Sequence, residues 1–141
     1  MREIKKIIVH CTASKEGQNV TVENIDKLHK SKGWQGCGYH YVIYLDGSVH
    51  KGRDERVIGA HCYGYNVESI GVCYVGGLDR NGKPKDTRTI QQKTALRNLL
   101  IELLQKYPNA TIHGHCEFAN KACPCFDVQK EYADLNVKIK P

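Results

Sequence analysis

Apolar residues occur in short runs separated by polar and glycine-rich stretches, a pattern typical of α/β proteins. Three runs predict buried strands, over residues 4–12, 69–75 and 110–112. Asp46 and Gly47 between the segments 39–45 and 48–51 predict a β-hairpin with a two-residue turn. The turn-rich, basic stretch 79–88 predicts an exposed connection.

Leucines recur at helical spacing in the second half of the chain. The stripe follows Thr89 and Gln92, which match a capping box, and consists of Leu96, Leu99, Leu100, Leu103 and Leu104. A second helix is predicted over 22–32, with Thr21 as its cap and Gly33 as its stop. Asp127 is expected to cap a short final helix reaching about residue 135.

The order of these elements is strand, helix, hairpin, strand, helix, strand, helix. It predicts a single α/β domain over residues 1–141, with a mixed central β-sheet flanked by helices. A chain of this length can bury a sizeable core without disulfides or structural metals. Its hydrophobic fraction of 40% and charged fraction of 26% are ordinary for a globular protein.

Charge and hydropathy narrow the classes of partner. The net charge of +6 suits an anionic partner, but the basic residues are scattered, so nucleic acid is not expected. No window approaches the roughly 20 apolar residues of a membrane span, so we expect no membrane insertion. The first residues carry too short an apolar run for a signal peptide, so cytoplasmic synthesis is expected. We expect a monomer.

The chain contains seven cysteines, an odd number, without an export signal. Such cysteines are more often free, metal-binding or catalytic than paired in disulfides. We therefore expect mostly reduced thiols, with Cys73 packed in the core because it lies inside an apolar run.

The stretch 112–127 concentrates two histidines and three cysteines. His115 and Cys123 lie eight residues apart across an irregular segment, and imidazole and thiolate are preferred zinc ligands. Three protein ligands are typical of a catalytic zinc site, and His10, at the end of the apolar run 7–9, is the candidate third ligand. Spacing alone leaves an alternative, in which His10 is a strand-end residue satisfied by backbone hydrogen bonds.

Several motifs taken together are more specific than any one of them. They are VHCTAS (9–14), GYHYVI (38–43), GRDE (52–55), H-x-x-GYN-x-x-SIGVCYVGG (61–77) and KACP-x-FD (121–127). In this order and spacing the chain resembles the zinc-dependent N-acetylmuramoyl-L-alanine amidases, a family that shares its fold with peptidoglycan recognition proteins. The resemblance extends from about residue 7 to residue 128.

The resemblance implies one zinc ion per chain, held by His10, His115 and Cys123. It implies a catalytic pair formed by Tyr39 and Lys121. The expected reaction is hydrolysis of the amide between N-acetylmuramic acid and L-alanine in bacterial peptidoglycan. The absence of a signal peptide fits a phage or prophage endolysin, which acts on the cell wall after release.

The resemblance also implies a groove for the glycan strand and stem peptide beside the metal. Its expected substrate-binding residues are Trp34, Arg53, His61 and Asn66. Trp34 could instead be a core residue, and Arg53 could be paired with Asp54 or Glu55. His113 and Cys125 match no family ligand and are expected to be structural neighbours of the site.

Two other functions remain open from sequence. A non-catalytic peptidoglycan recognition module is the main alternative, although such relatives lack the zinc cysteine that Cys123 supplies. A cysteine hydrolase using Cys11 or Cys116 as nucleophile is the other.

Overall fold

A five-stranded mixed sheet forms the centre of the molecule, as seen in a computed structural model that describes residues 2–137. Its strand order is β4-β3-β5-β1-β7, and every neighbouring pair is parallel except the β3–β4 hairpin. The strands are β1 Lys6–Cys11, β3 Tyr41–Ile43, β4 Val49–Lys51, β5 Ser69–Tyr74 and β7 Thr111–Gly114. A small second sheet pairs β2 Ser14–Lys15 with β6 Gly77–Leu78. The predicted α/β class is confirmed.

Strand β1 lies between β5 and β7 and is buried on both faces. Ile7, Ile8 and Val9 have no exposed surface, which explains why this strand is a continuous apolar run rather than an alternating one. The sequence pattern therefore identified the central strand, although its hydrogen-bonded part is shorter than the predicted 4–12.

The helices begin where capping residues predict. Thr21 caps α1 (Val22–Ser31), and Thr89 caps α2 (Ile90–Lys106), each in a full capping box. Asp127 accepts a hydrogen bond from the Lys130 amide at the start of the final helical segment. This segment is two short helices rather than the single one predicted, α3 Val128–Glu131 and α4 Ala133–Asn136. None of the helices in residues 2–137 is both long and apolar enough to cross a bilayer.

The two faces of the sheet carry separate cores. One core contains the leucine stripe of α2, packed on Ile7 and Val9 of β1. The other contains Ile25 of α1 and Cys73 of β5, so the predicted core role of Cys73 is confirmed. Gln92 is fully buried and donates from its amide to the carbonyls of both Ile43 and Val75, which ties the start of α2 to the sheet.

Two local predictions were right in outline and wrong in one detail each, since the β3–β4 hairpin forms and residues 80–86 are exposed. The hairpin turn is a three-residue loop, because the Tyr44 amide bonds the Ser48 carbonyl and Gly47 lies at a φ of 85°. The connection 79–88 is not exposed at its end, where Arg88 has a side chain only 1% exposed. Its guanidinium bonds Asp86 and Glu131 and stacks on Phe126 at 3.4 Å, so ion pairs and ring contact offset its desolvation.

Candidate active site

Three side chains with metal-ligating atoms converge at one edge of the sheet. His10, His115 and Cys123 each offer one ligand atom, and these atoms lie within 4.8 Å of one another. The Cys123 Sγ is 4.0 Å from His10 Nδ1, and the two imidazole rings are 4.5 Å apart. Ligand atoms of a tetrahedral zinc ion are about 3.4–3.8 Å apart, so the donor set fits zinc after a small contraction.

The parallel strands explain this convergence. His10 is the penultimate residue of β1, and His115 directly follows the last residue of β7. Because β1 and β7 are parallel neighbours, their carboxyl ends meet at the same edge, where ligand sites of α/β sheets usually lie.

Cys123 reaches the same edge from a loop held by specific hydrogen bonds. The amide of Cys116 donates to the Cys123 carbonyl at 2.8 Å, and the amide of Cys11 donates to the Cys123 Sγ at 3.2 Å. One residue further, the carbonyl of Pro124 accepts a hydrogen bond from the buried hydroxyl of Tyr74 at 2.6 Å. These contacts fix the loop backbone and place the Cys123 sulfur beside the end of β1.

The environment keeps both imidazoles neutral. Burial lowers the pKa of His10 well below its usual range, and the charges of His61, His115 and Lys121 lower it further. Burial, followed by the charge of Lys121, also lowers the pKa of His115. Neutral imidazole is the metal-binding form of histidine, so these shifts suit a ligand pair.

Tyr39 and Lys121 lie beside the three candidate ligands. The Tyr39 ring is 5.1 Å from the His10 ring. Burial, with the thiols of Cys73 and Cys123 adding to it, raises the Tyr39 pKa well above 10, so the phenol retains its proton. Lys121 is exposed, and its charge acts on both His10 and His115. The structure therefore brings the predicted catalytic pair to the ligand group.

His61, which the sequence assigns to substrate binding, is a buried residue with its ring nitrogens bonded to other side chains. Only 8% of the residue is exposed, because its ring lies behind His10. Its Nδ1 is 2.8 Å from His10 Nε2, and its Nε2 is 3.2 Å from Ser69 Oγ. Burial, together with the charges of His40 and His115, lowers its pKa to about 3.

Asn66 lies in the expected loop, but its side-chain oxygen bonds to that loop's own backbone. Its Oδ1 accepts hydrogen bonds from the amides of His61 and Cys62, both at 2.9 Å. The carboxamide oxygen thus closes the 61–66 loop on itself and is already engaged. Sequence reasoning assigned the residue to the right loop but missed this internal role.

Arg53 and Trp34 lie in neighbouring loops. Arg53 donates to the carbonyls of Cys37 and Ile58, at 3.1 and 2.8 Å, and forms no ion pair with any residue from 2 to 137. The alternative in which it pairs with Asp54 or Glu55 is therefore wrong, since those acids pair with other residues. They bind Arg56 and Lys106, respectively.

Trp34 is 40% exposed, so it is not a core residue. Its indole meets the His29 ring edge-on at 4.6 Å, and His29 in turn lies 5.5 Å from the Tyr39 ring. A chain of ring contacts thus connects an exposed indole to the vicinity of the candidate ligands.

The two neighbours of the site have structural contacts. His113 lies between Thr111 Oγ1 at 2.6 Å and Glu117 Oε1 at 2.8 Å. Cys125 lies with its Sγ 4.0 Å from that of Cys11, outside the ligand group. Both positions agree with the expectation that neither residue is a ligand.

A cavity of about 600 Å³ lies elsewhere in the molecule. Its lining includes Arg2 and Ile4, which precede β1, and Asn109, which precedes β7. It is therefore at the amino ends of these strands, opposite the candidate ligands, and none of the three ligands lines it. We assign the chemistry to the ligand group because only there do metal-binding atoms converge among the described residues.

Known proteins match this arrangement over most of the chain. Residues 1–126 match the family described as N-acetylmuramoyl-L-alanine amidase. The endolysin of Escherichia phage T7 is 50% identical over 124 residues, covering 88% of this chain and 82% of the phage protein. Peptidoglycan-recognition protein SC2 of Drosophila melanogaster is 30% identical over 133 residues, covering 88% of this chain and 70% of the fly protein.

A solved structure supports the same conclusion. The endolysin N-acetylmuramoyl-L-alanine amidase LysCS from Clostridium intestinale superposes with a TM-score of 0.84 at 32% identity. The superposition covers 97% of this chain and 86% of that one. The predicted fold and amidase activity are thus confirmed, and the chain belongs to the N-acetylmuramoyl-L-alanine amidase family.

Proposed function

We propose that this chain is a zinc-dependent endolysin with one zinc ion bound by His10, His115 and Cys123. It hydrolyses the amide between N-acetylmuramic acid and L-alanine in bacterial peptidoglycan. The observation that carries the proposal is the convergence of two imidazoles and a thiol at the carboxyl edge of the sheet. Three protein ligands leave a fourth position for water or substrate, as in catalytic zinc sites.

Zinc, when bound, supplies a water of lowered pKa and polarises the scissile carbonyl. Tyr39 holds a proton on its phenolic oxygen and donates a hydrogen bond from it to the reacting groups. The Lys121 ammonium stabilises the negative charge that develops on the carbonyl oxygen during attack. Its position in the ligand loop, two residues before Cys123, keeps it close to this charge.

Arg53 and Trp34 are the proposed substrate contacts. Arg53 lines the cavity at the far end of the sheet and donates to backbone carbonyls, but it has no carboxylate partner in the described chain, so its charge can pair with a carboxylate of the stem peptide. Trp34 exposes its indole beside this loop region and offers an apolar face to a sugar ring. We propose that His61 holds the His10 ring in place and that Asn66 holds the backbone of His61.

Two competing functions are less well supported. A recognition module without activity has no need of a thiol ligand, a buried phenol and a lysine around one point, all of which are present here. A cysteine hydrolase needs an activated thiolate. A hydrogen bond with Cys123, followed by burial, raises the pKa of Cys11. Burial, followed by the charge of Glu117, raises the pKa of Cys116. Both shifts oppose formation of the thiolate that a cysteine hydrolase needs.

The proposed substrate is the polyanionic wall, which the net charge of +6 complements. We propose that the enzyme works as a monomer, without nucleic acid or membrane insertion. We also propose that it is made in the cytoplasm and reaches the wall after release.

The decisive experiment combines zinc content of the purified protein with clearing of purified peptidoglycan before and after chelation. The expected result is about one zinc per chain, with activity lost on chelation and restored by zinc. Released ends should be L-alanine amines without new reducing sugars. Metal-free protein that binds walls without clearing them would support the recognition module. Activity that survives chelation but is lost on thiol alkylation would support the cysteine hydrolase.

A further inference from the structure

The imidazole of His61 occupies a slot that two glycines create. A Cβ on Gly71, in the middle of β5, would lie 2.6 Å from the His61 ring, and a Cβ on Gly59 would lie 2.7 Å from it. Both distances are far below van der Waals contact, so any larger residue at either position would displace the ring. The chain thus leaves room for this imidazole directly above the sheet, between a strand and a loop.

The hydrogen bonds of this ring determine where its protons lie. The Nδ1 of His10 faces the Cys123 sulfur, while its Nε2 points at His61 Nδ1. A ligand that binds through Nδ1 carries its proton on Nε2, so His10 donates and His61 Nδ1 accepts. The remaining His61 proton is then on Nε2 and is donated to Ser69 Oγ.

The backbone of His61 is fixed as well. Its amide donates to Asn66 Oδ1, and Ser69 is completely buried at the start of β5. The His61 ring, the His61 backbone and the Ser69 hydroxyl that accepts from it are therefore all fixed by their neighbours. Such support is expected for a group that must orient another side chain rather than contact substrate.

We propose that His61, oriented by Ser69 and by the slot between Gly59 and Gly71, is a positioning residue for the metal site. It fixes His10 in the tautomer that directs the Nδ1 lone pair toward His115 and Cys123. This inference rests on the proposed zinc function and deepens it. Loss of such an outer hydrogen-bond partner typically lowers metal affinity about 10–100-fold.

The test measures zinc affinity of the full chain by competition with a chromophoric chelator, together with ¹⁵N NMR of the histidine rings. His61→Phe keeps an aromatic ring in the slot but removes the acceptor, and His61→Gln restores an acceptor oxygen. Ser69→Ala leaves the His10 contact in place and removes only the last acceptor. His50→Gln, a substitution of a histidine outside the site, is the control, and circular dichroism reports folding.

The expected result is a 10–100-fold loss of zinc affinity in His61→Phe, with partial recovery in His61→Gln. Zinc affinity should fall a few-fold in Ser69→Ala. The NMR signal of the His10 Nε2 proton should broaden or shift in each variant. Zinc affinity and a His10 signal unchanged in both His61→Phe and Ser69→Ala would overturn the inference. If His61→Phe fails to fold, Ser69→Ala and His61→Gln decide the question by the same two readouts. Wild-type protein that binds no zinc would instead contradict the proposed function itself.

Discussion

The candidate ligands come from two very different kinds of backbone. His10 lies on the central strand, is 1% exposed, and has parallel strands on both sides. His115 and Cys123 lie on a short 3-10 turn and an irregular loop, and both are partly exposed. The sheet itself holds the first ligand in place, whereas the other two depend on individual contacts of the loop. The two regions should therefore respond differently to substitution.

Contacts at the far end of the loop compensate for its irregular backbone. Phe126 lies against Arg88, and Tyr74 binds the Pro124 carbonyl. Arg88 in turn bonds Glu131 and Tyr132 in the final helical segment. A residue that sequence reasoning placed in an exposed connection thus contacts the segment that carries the candidate ligand Cys123.

The largest effect is expected from removal of a ligand in either region. His10→Ala and Cys123→Ala should each lower zinc affinity and amidase activity by more than about 100-fold, because loss of an outer partner alone costs about 10–100-fold. Zinc stoichiometry after dialysis and release of L-alanine ends measure the effect. His113→Ala, at a histidine outside the ligand group, is the matched control and should retain zinc. Equal zinc loss in that control would mean that the ligand set is misassigned.

Next in size is the effect of Lys121, which belongs to the loop but is not a ligand. Lys121→Ala should lower kcat about 100- to 1,000-fold, the usual cost of removing one group that stabilises a developing oxyanion. Zinc content should remain at the wild-type value, since the lysine binds no metal. Lys130→Ala, at an exposed lysine of α3, should leave kcat unchanged. A fall in kcat accompanied by zinc loss would show that Lys121 acts on the loop rather than on the reaction.

The substitution Arg88→Met tests whether the contacts of Arg88 stabilise the loop that carries Cys123. We expect the free energy of unfolding to fall by about 2–3 kcal/mol, somewhat below the cost of breaking a fully buried pair, because the partner acids are about one-third exposed. Arg97→Met is the matched control, since both partners of the Arg97–Asp134 pair are exposed and such pairs contribute about 0–1 kcal/mol. Urea denaturation measures both variants. Equal losses of unfolding free energy in the two variants would show that the buried Arg88 guanidinium stabilises the fold no more than an exposed one does.

The smallest effect concerns Glu55, at the opposite end of the sheet from the ligands. Burial alone would raise its pKa, but hydrogen bonds from Lys106, Tyr41 and Tyr107 outweigh it and hold the pKa below 4.5. A depressed carboxyl pKa stabilises the fold above about pH 4.5, and this contribution is lost as the pH falls through the folded-state value.

Glu55→Gln should therefore be less stable than wild type at neutral pH, and the gap should narrow below about pH 4.5. Urea titrations of both proteins across this range measure the change. A gap that is independent of pH would show that the carboxylate contributes through packing rather than through its charge.

Local signals in the sequence were sufficient for much of the fold. The capping box at Thr89 and the leucine stripe behind it depend on neighbours within one helix, so residue types at fixed spacing revealed them. The apolar run of β1 likewise marked a strand buried on both faces. The turn at Gly47 was missed in detail because its loop length depends on how the two strands pair.

The sequence by itself determined the donor types, His10, His115 and Cys123, and the segments that carry them. Only the tertiary structure decided that parallel pairing of β1 with β7 brings those segments to one edge. The contacts of His61 and Arg88 were also decided there, because their partners His10 and Glu131 are 51 and 43 residues away along the chain. Contacts over such distances leave no periodic trace in a sequence, since they depend on how elements pack rather than on how each one forms.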